Sequence, residues 1–120
     1  MRVANPTGKL GEDLACEFLK KQGYKILERN FRKGYGEIDI IAIDHGVLVF
    51  VEVKTRTSQN YGTPFEAIGY YKMQTLIRGA QFYKTLHPNL PDQLRIDAVS
   101  VALEKNTKES KIELVKNISS

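Results

Sequence analysis

The stretch Glu37-Ile38-Asp39-Ile40-Ile41-Ala42-Ile43-Asp44-His45-Gly46-Val47-Leu48-Val49-Phe50-Val51-Glu52-Val53-Lys54 decides how this chain folds. Two β-branched apolar runs, 38–43 and 47–53, flank Asp44-His45-Gly46, which predicts a β-hairpin. A two-residue turn at His45-Gly46 pairs Asp44 with Val47, and directly opposed residues then have numbers summing to 91. Asp39 falls opposite Glu52, and Glu37 opposite Lys54. Opposed residues share a sheet face, with Cβ atoms about 4.5–5.5 Å apart. Alternation puts Glu37, Asp39, Ile41 and Ile43 on one face with Leu48, Phe50, Glu52 and Lys54. That face is apolar near the turn and charged at the other end. The opposite face, Ile38, Ile40 and Ala42 against Val47, Val49, Val51 and Val53, carries no charge.

Two carboxylates facing each other repel unless a positive charge lies between them. A hard divalent cation would resolve this, since Mg²⁺ takes one or two protein carboxylates and fills its other positions with water or phosphate oxygens. Lys54, on the same face as Glu52, could reach a phosphate or an attacking water. Asp39, Glu52 and Lys54 therefore match metal-assisted phosphodiester hydrolysis. The plainer reading is a salt-bridge ladder of Glu37, Asp39, Glu52 and Lys54 at a sheet end. Glu-x-Lys spacing arises about once by chance in a chain of this composition. It occurs again at Glu109-Ser110-Lys111 in a polar stretch.

Outward from the hairpin, Leu10, Gly11, Leu14, Ala15, Phe18 and Leu19 recur at helical spacing. With Thr7 as a possible cap and Gly23 as a stop, they predict a helix over about 8–22. Glu12 flanks its apolar arc, either as a first-turn acid favoured by the helix dipole or as a further ligand. Gly8 and Gly11 would let this helix lie close to a sheet. Tyr24 to Phe31 predicts a strand, and Lys54 to Thr63 a polar loop. Met73, Leu76, Ile77, Ala80 and Tyr83 predict a helix over 70–86, broken at His87-Pro88. Strands follow at 95–103 and 111–118. The order αβββαββ indicates one α/β domain over 1–120, a mixed sheet with helices covering both faces.

At the hairpin's charged end lie Arg29, Arg32, Lys33, Lys54 and Arg56, with Tyr35 and Tyr61 in the adjoining loops. Cations among aromatics suit phosphate contact and base stacking, although each also serves as an ordinary loop residue. Lys72 and Gln74 begin the second helix, where phosphate can approach. Asp97 fits a structural role, His87 a helix cap, and Cys16 a packed small side chain. His45 sits at the wrong end to be a ligand. Tyr70 and Tyr71 fit either packing or a subunit interface.

The chain has 120 residues, with 18 Lys plus Arg against 14 Asp plus Glu, a net charge of +4 and one cysteine. That composition excludes a disordered, collagen-like or disulfide-stapled chain. The longest unbroken apolar run, Val47 to Val51, is far below the ~20 residues that span a bilayer. With no visible signal segment, a cytoplasmic location and no membrane partner are the expectation.

Together, Gly8-x-x-Gly11-Glu12-x-x-Ala15, Gly36-Glu37-Ile38-Asp39, Phe50-Val51-Glu52-Val53-Lys54-Thr55-Arg56 and Lys72-x-Gln74 resemble the YraN family of small bacterial proteins. That family is endonuclease-like, within the PD-(D/E)xK nuclease superfamily, and similar to archaeal Holliday-junction resolvases. The resemblance covers about residues 8–103 and is most specific from Gly36 to Arg56. It implies a three-layer α/β/α restriction-endonuclease-like core, Mg²⁺ or Mn²⁺ as cofactor, and branched or structured DNA as partner. It would make Asp39 and Glu52 metal ligands, Lys54 the catalytic lysine and Glu12 an auxiliary ligand. Arg32, Lys33, Tyr35, Arg56, Lys72 and Gln74 would contact nucleic acid. Ile38 stands where the superfamily's name has proline. Symmetric incision of a four-way junction would need two copies, hence a possible homodimer. A nucleic-acid-binding module without cleavage is the alternative.

Overall fold

The computed structural model describes residues 6–57, 68–104 and 109–119. Strands β2 (Ile38–Asp44) and β3 (Val47–Thr57) form the hairpin. Asp44 pairs with Val47, Ala42 with Val49 and Ile40 with Val51, the register expected from the sequence. His45 and Gly46 both have positive φ, 48° and 80°. A turn of this kind carries the right-handed twist that flanking strands need.

Strand β1 (Lys25–Phe31) pairs antiparallel with β2, and β4 (Leu94–Leu103) pairs parallel with β3. Strand β5 (Ser110–Val115) closes the sheet antiparallel to β4, giving the order β1-β2-β3-β4-β5. Helix α1 (Pro6–Lys21) precedes the sheet, and α2 (Tyr70–Leu86) makes the crossover that parallel β3 and β4 require. The sheet is mixed and the element order is αβββαββ.

Three boundaries differ from expectation. Lys54 to Thr57 are strand, not loop, because the parallel ladder continues from Lys54↔Ser100 to Thr57↔Leu103. Main-chain pairing with β4 overrides the polar composition of this stretch. Helix α1 starts at Pro6, so Thr7 is a first-turn residue. Proline suits that position because its missing N–H would have had no helical partner. Strand β5 also stops at Val115, short of 118.

The helices cover opposite faces. Ala15, Cys16 and Leu19 of α1 pack with Ile40, Ala42, Val49, Val51, Val99 and Val101. Leu76, Ala80 and Tyr83 of α2 pack with Ile41, Leu48, Phe50 and Ile96. Burial of each large side chain stabilises by about 1.5–3 kcal/mol. Ile38 was expected on the α1 face, but it joins the α2 cluster, its Cδ1 3.1 Å from where a Gly79 side chain would begin. The main-chain partners of β2 and β3 stop at Ile40↔Val51, so strict alternation no longer holds Ile38. Where α1 crosses β3, a Cβ on Gly11 would lie 1.9 Å from Thr55 Oγ1. Only glycine allows that approach.

The turn end of the hairpin holds a buried polar network. Asp97 Oδ2 accepts from Tyr24 Oη at 2.7 Å, and Oδ1 from Arg95 Nε at 2.8 Å and the Asn117 amide at 2.9 Å. Asp44 Oδ2 accepts from Arg95 Nη2 at 2.6 Å and Lys116 Nζ at 3.1 Å. Burial alone would raise the Asp44 pKa, but Arg95, His45 and Lys116 hold it well below the ordinary carboxylate range. Asp97 is thus structural, as expected. His87 caps α2 through its amide and stacks on Tyr83, and Cys16 is buried in the α1 core.

Candidate active site

At the far end of the hairpin the main chain stops pairing and a side chain takes over. The Val53 amide donates to Asp39 Oδ2 at 2.8 Å, with Asp39 one residue and Val53 two residues beyond the last β2–β3 pair, Ile40↔Val51. This bond fixes Asp39 beside Glu52, which is 4% exposed. Burial, then a hydrogen bond with Glu52 and its negative charge, push the Asp39 pKa well above the ordinary range. The Val53 amide opposes that shift and Glu12 adds to it. An acid pair so placed favours an added proton on Asp39.

Lys72, in the first turn of α2, places Nζ 3.1 Å from Glu52 Oε2, an oxygen that is buried without a hydrogen bond. The contact is one of charge without hydrogen-bond geometry. Lys54 continues β3 on the side of Glu52, partly buried, with no ion pair or hydrogen bond among the described residues. The salt-bridge ladder from Glu37 to Lys54 therefore does not form as drawn from the sequence. The cation on Glu52 comes from the other helix.

Glu12 reaches the same region from α1, but its Oε1 is already held. Arg29 Nε donates at 3.1 Å and Asn30 Nδ2 at 3.0 Å. Arg29 Nη2 also donates to Asp13 Oδ1 at 2.7 Å. Arg29 thus spends its charge on α1 and is not turned to an incoming phosphate. Asn30 takes a positive φ of 56°, which asparagine tolerates better than most residues.

The structure brings Asp39, Glu52 and Lys72 together, with Glu12 acting on Asp39 from α1, and Lys54 follows two residues after Glu52 on β3. The remaining candidates lie in the β1–β2 connection, late in β3 and early in α2. Arg32 Nε lies 3.8 Å from Glu37 Oε1 and is more than half exposed. Lys33 is exposed, and half-exposed Tyr35 meets Phe82 edge-on at 6.0 Å. With Arg78, Gln81 and Thr85, these rings line an open depression beside α2. Arg56 and Gln74 are partly buried, and Tyr61 lies outside the described residues. Sequence spacing alone could not assign Lys72 to Glu52, because the pairing depends on how the crossover lays α2 on the sheet.

Among the described residues, no group of three His, Cys, Asp or Glu is arranged to hold a metal ion. The pair itself still fits one. Mg²⁺ commonly uses one or two carboxylates, and Glu52 Oε2 is a buried oxygen without a hydrogen bond. No helix among the described residues is long and apolar enough to cross a membrane.

The family model described as "Uncharacterised protein family UPF0102" matches residues 11–101. A UPF0102 protein of Persephonella marina is 49% identical over 94 residues, covering 78% of this chain and 81% of that protein. One from Caldanaerobacter subterraneus is 47% identical over 104 residues, 85% of each chain. Another, from Clostridium botulinum, is 43% identical over 113 residues, 92% of this chain and 90% of the relative.

Proposed function

We propose that this chain, which belongs to the uncharacterised protein family UPF0102, the YraN family, is a metal-dependent endonuclease-like protein that hydrolyses phosphodiester bonds in branched or structured DNA. The observation that carries this reading is Asp39, half-buried and held by the Val53 amide at 2.8 Å, beside Glu52, which is 4% exposed with Oε2 buried and without a hydrogen bond. A carboxylate pair met by a single lysine among the described residues is poorly explained by stability alone. Buried charge without full pairing costs free energy and is found at functional sites.

Asp39 and Glu52 would hold Mg²⁺ or Mn²⁺, whose chemistry there is to stabilise charge on a phosphoryl group and make water more acidic. The Val53 amide holds Asp39 in the required orientation. Lys54, on β3 and without a competing partner among the described residues, stabilises the negative charge that develops on the phosphate. Lys72 can exchange Glu52 for a phosphate oxygen when the acid pair is otherwise neutralised.

The test is a cleavage panel of four-way junction, flap, duplex and single strand in Mg²⁺ and in Mn²⁺. Glu52→Gln should abolish cleavage while DNA binding persists. Lys54→Met should slow cleavage by about 10²–10⁴-fold with binding retained. If the wild type cleaves and both variants match it, this hairpin is not the active site. The second reading, a binding module without cleavage, draws on Lys72 neutralising Glu52 and Arg29 holding Glu12. Binding of branched DNA with no cleavage in either metal would select it.

A further inference from the structure

Tyr70 and Tyr71 open α2, and neither packs into the protein. Tyr70 is 71% exposed and Tyr71 84%. Their rings meet edge to face, with centroids 5.5 Å apart. Local packing, one of the two roles the sequence left open for them, is thereby removed. The next residue, Lys72, has its ammonium 3.1 Å from Glu52 Oε2. Thr75, one turn further on, lies 3.3 Å from where a side chain on Gly36 would begin, so this end of α2 sits against the approach to β2. The exposed pair thus immediately precedes Lys72, the residue of α2 that reaches the Asp39–Glu52 pair.

We propose that Tyr70 and Tyr71 form a stacking platform for an unpaired base of the nucleic-acid strand entering that site. The inference rests on the nucleic-acid reading given above and adds to it a substrate feature, a base free of its own stack. Lys72 and Lys54 provide the charge that suits the adjoining phosphates. A base needs only one ring face, and stacking on an aromatic ring is tolerant of base identity. A second copy of this chain would need far more surface. A stable interface buries about 800 Å² per partner. Two tyrosines offer roughly 300–500 Å² between them. The other exposed large apolar residues, Leu10, Tyr35, Leu86 and Val115, lie on α1, in the β1–β2 connection, at the far end of α2 and on β5.

The experiment measures binding in EDTA, so that no cleavage intervenes. One DNA carries 2-aminopurine in a single-stranded flap; a control carries it within the paired duplex. The chain contains six tyrosines and no tryptophan, so its own tyrosine emission is also readable. Binding of the flap should quench both 2-aminopurine and tyrosine emission. Tyr70→Ala with Tyr71→Ala should weaken flap binding about tenfold and leave duplex affinity within about twofold. Phenylalanine at both positions should restore flap affinity, because the ring face remains. Unchanged flap affinity in the alanine double variant overturns the platform while leaving the site reading intact. A fall in sedimentation mass from dimer to monomer in that variant also overturns it, by making a second copy the occupant. Failure of the wild type to bind either DNA overturns both readings.

Discussion

Asp39 is pulled in two directions. The Val53 amide favours its charged form, while burial and Glu52 favour the protonated form and prevail. The folded chain therefore binds this proton more tightly than the unfolded chain does. Its contribution to stability is full below the ordinary carboxylate range, near ~4, and is lost as pH rises through the higher folded value. Asp39→Asn cannot ionise and keeps an oxygen for the Val53 amide. In EDTA, urea unfolding should show the wild type losing stability between acid and alkaline buffer, and the variant losing less. An equal or larger loss in the variant would refute the assignment of this strain to Asp39. The nearness of Asp39 and Glu52 was legible in the sequence because the short turn sets the register as far as Ile40↔Val51 and both acids follow directly on that pair. Lys72 was not, because its ammonium arrives from a helix separated from Glu52 by the whole crossover.

Among the elements, the seating of α1 on β3 holds Glu12 within electrostatic reach of Asp39. It depends on Gly11, whose added Cβ would fall 1.9 Å from Thr55 Oγ1, 2.7 Å from Cγ2 and 2.8 Å from Cβ. Alanine is the better helix former by about 1 kcal/mol. Forcing a methyl into a packed contact costs about 1–3 kcal/mol, and the whole Thr55 side chain blocks the position, so the steric cost wins. Gly11→Ala should lower the melting temperature by several degrees, and Thr55→Ala in the same chain should recover part of the loss. A melting temperature at or above wild type for Gly11→Ala would show that α1 can lift from the sheet freely. The glycine's role was visible from its place on the apolar arc. The strand beneath it was not, since Lys54 to Thr57 have loop-like composition and become strand only by pairing with β4.

Across the whole molecule the two ends of the central hairpin treat buried acid in opposite ways. At the turn end, Tyr24, Arg95, Lys116 and the Asn117 amide satisfy Asp44 and Asp97 and tie the C-terminal segment to the sheet. At the other end Asp39 and Glu52 press on each other, with one lysine in reach of Glu52. A satisfied network is structural, and the under-neutralised pair is the feature on which the proposed site rests. Because Asp44 is held below the ordinary carboxylate range, its stabilisation is present above ~4 and is lost as pH falls towards its folded value. Circular dichroism from neutral to strongly acid pH should show Asp44→Asn with a shallower acid loss than wild type. An unchanged acid limb would mean that the network contributes nothing to holding the turn.

From the sequence alone, local periodicity determined the hairpin, its register, the two helices, the αβββαββ order and the facing acids. Each of these depends on residues near in sequence or on a single alternation rule. Tertiary structure decided the length of β3, the side taken by Ile38, the exposure of Tyr70 and Tyr71, and the partners of Glu12 and Glu52. Those outcomes depend on where α1, α2 and β4 come to rest on the hairpin. Packing and pairing between distant segments set that arrangement, and no spacing within one segment encodes it.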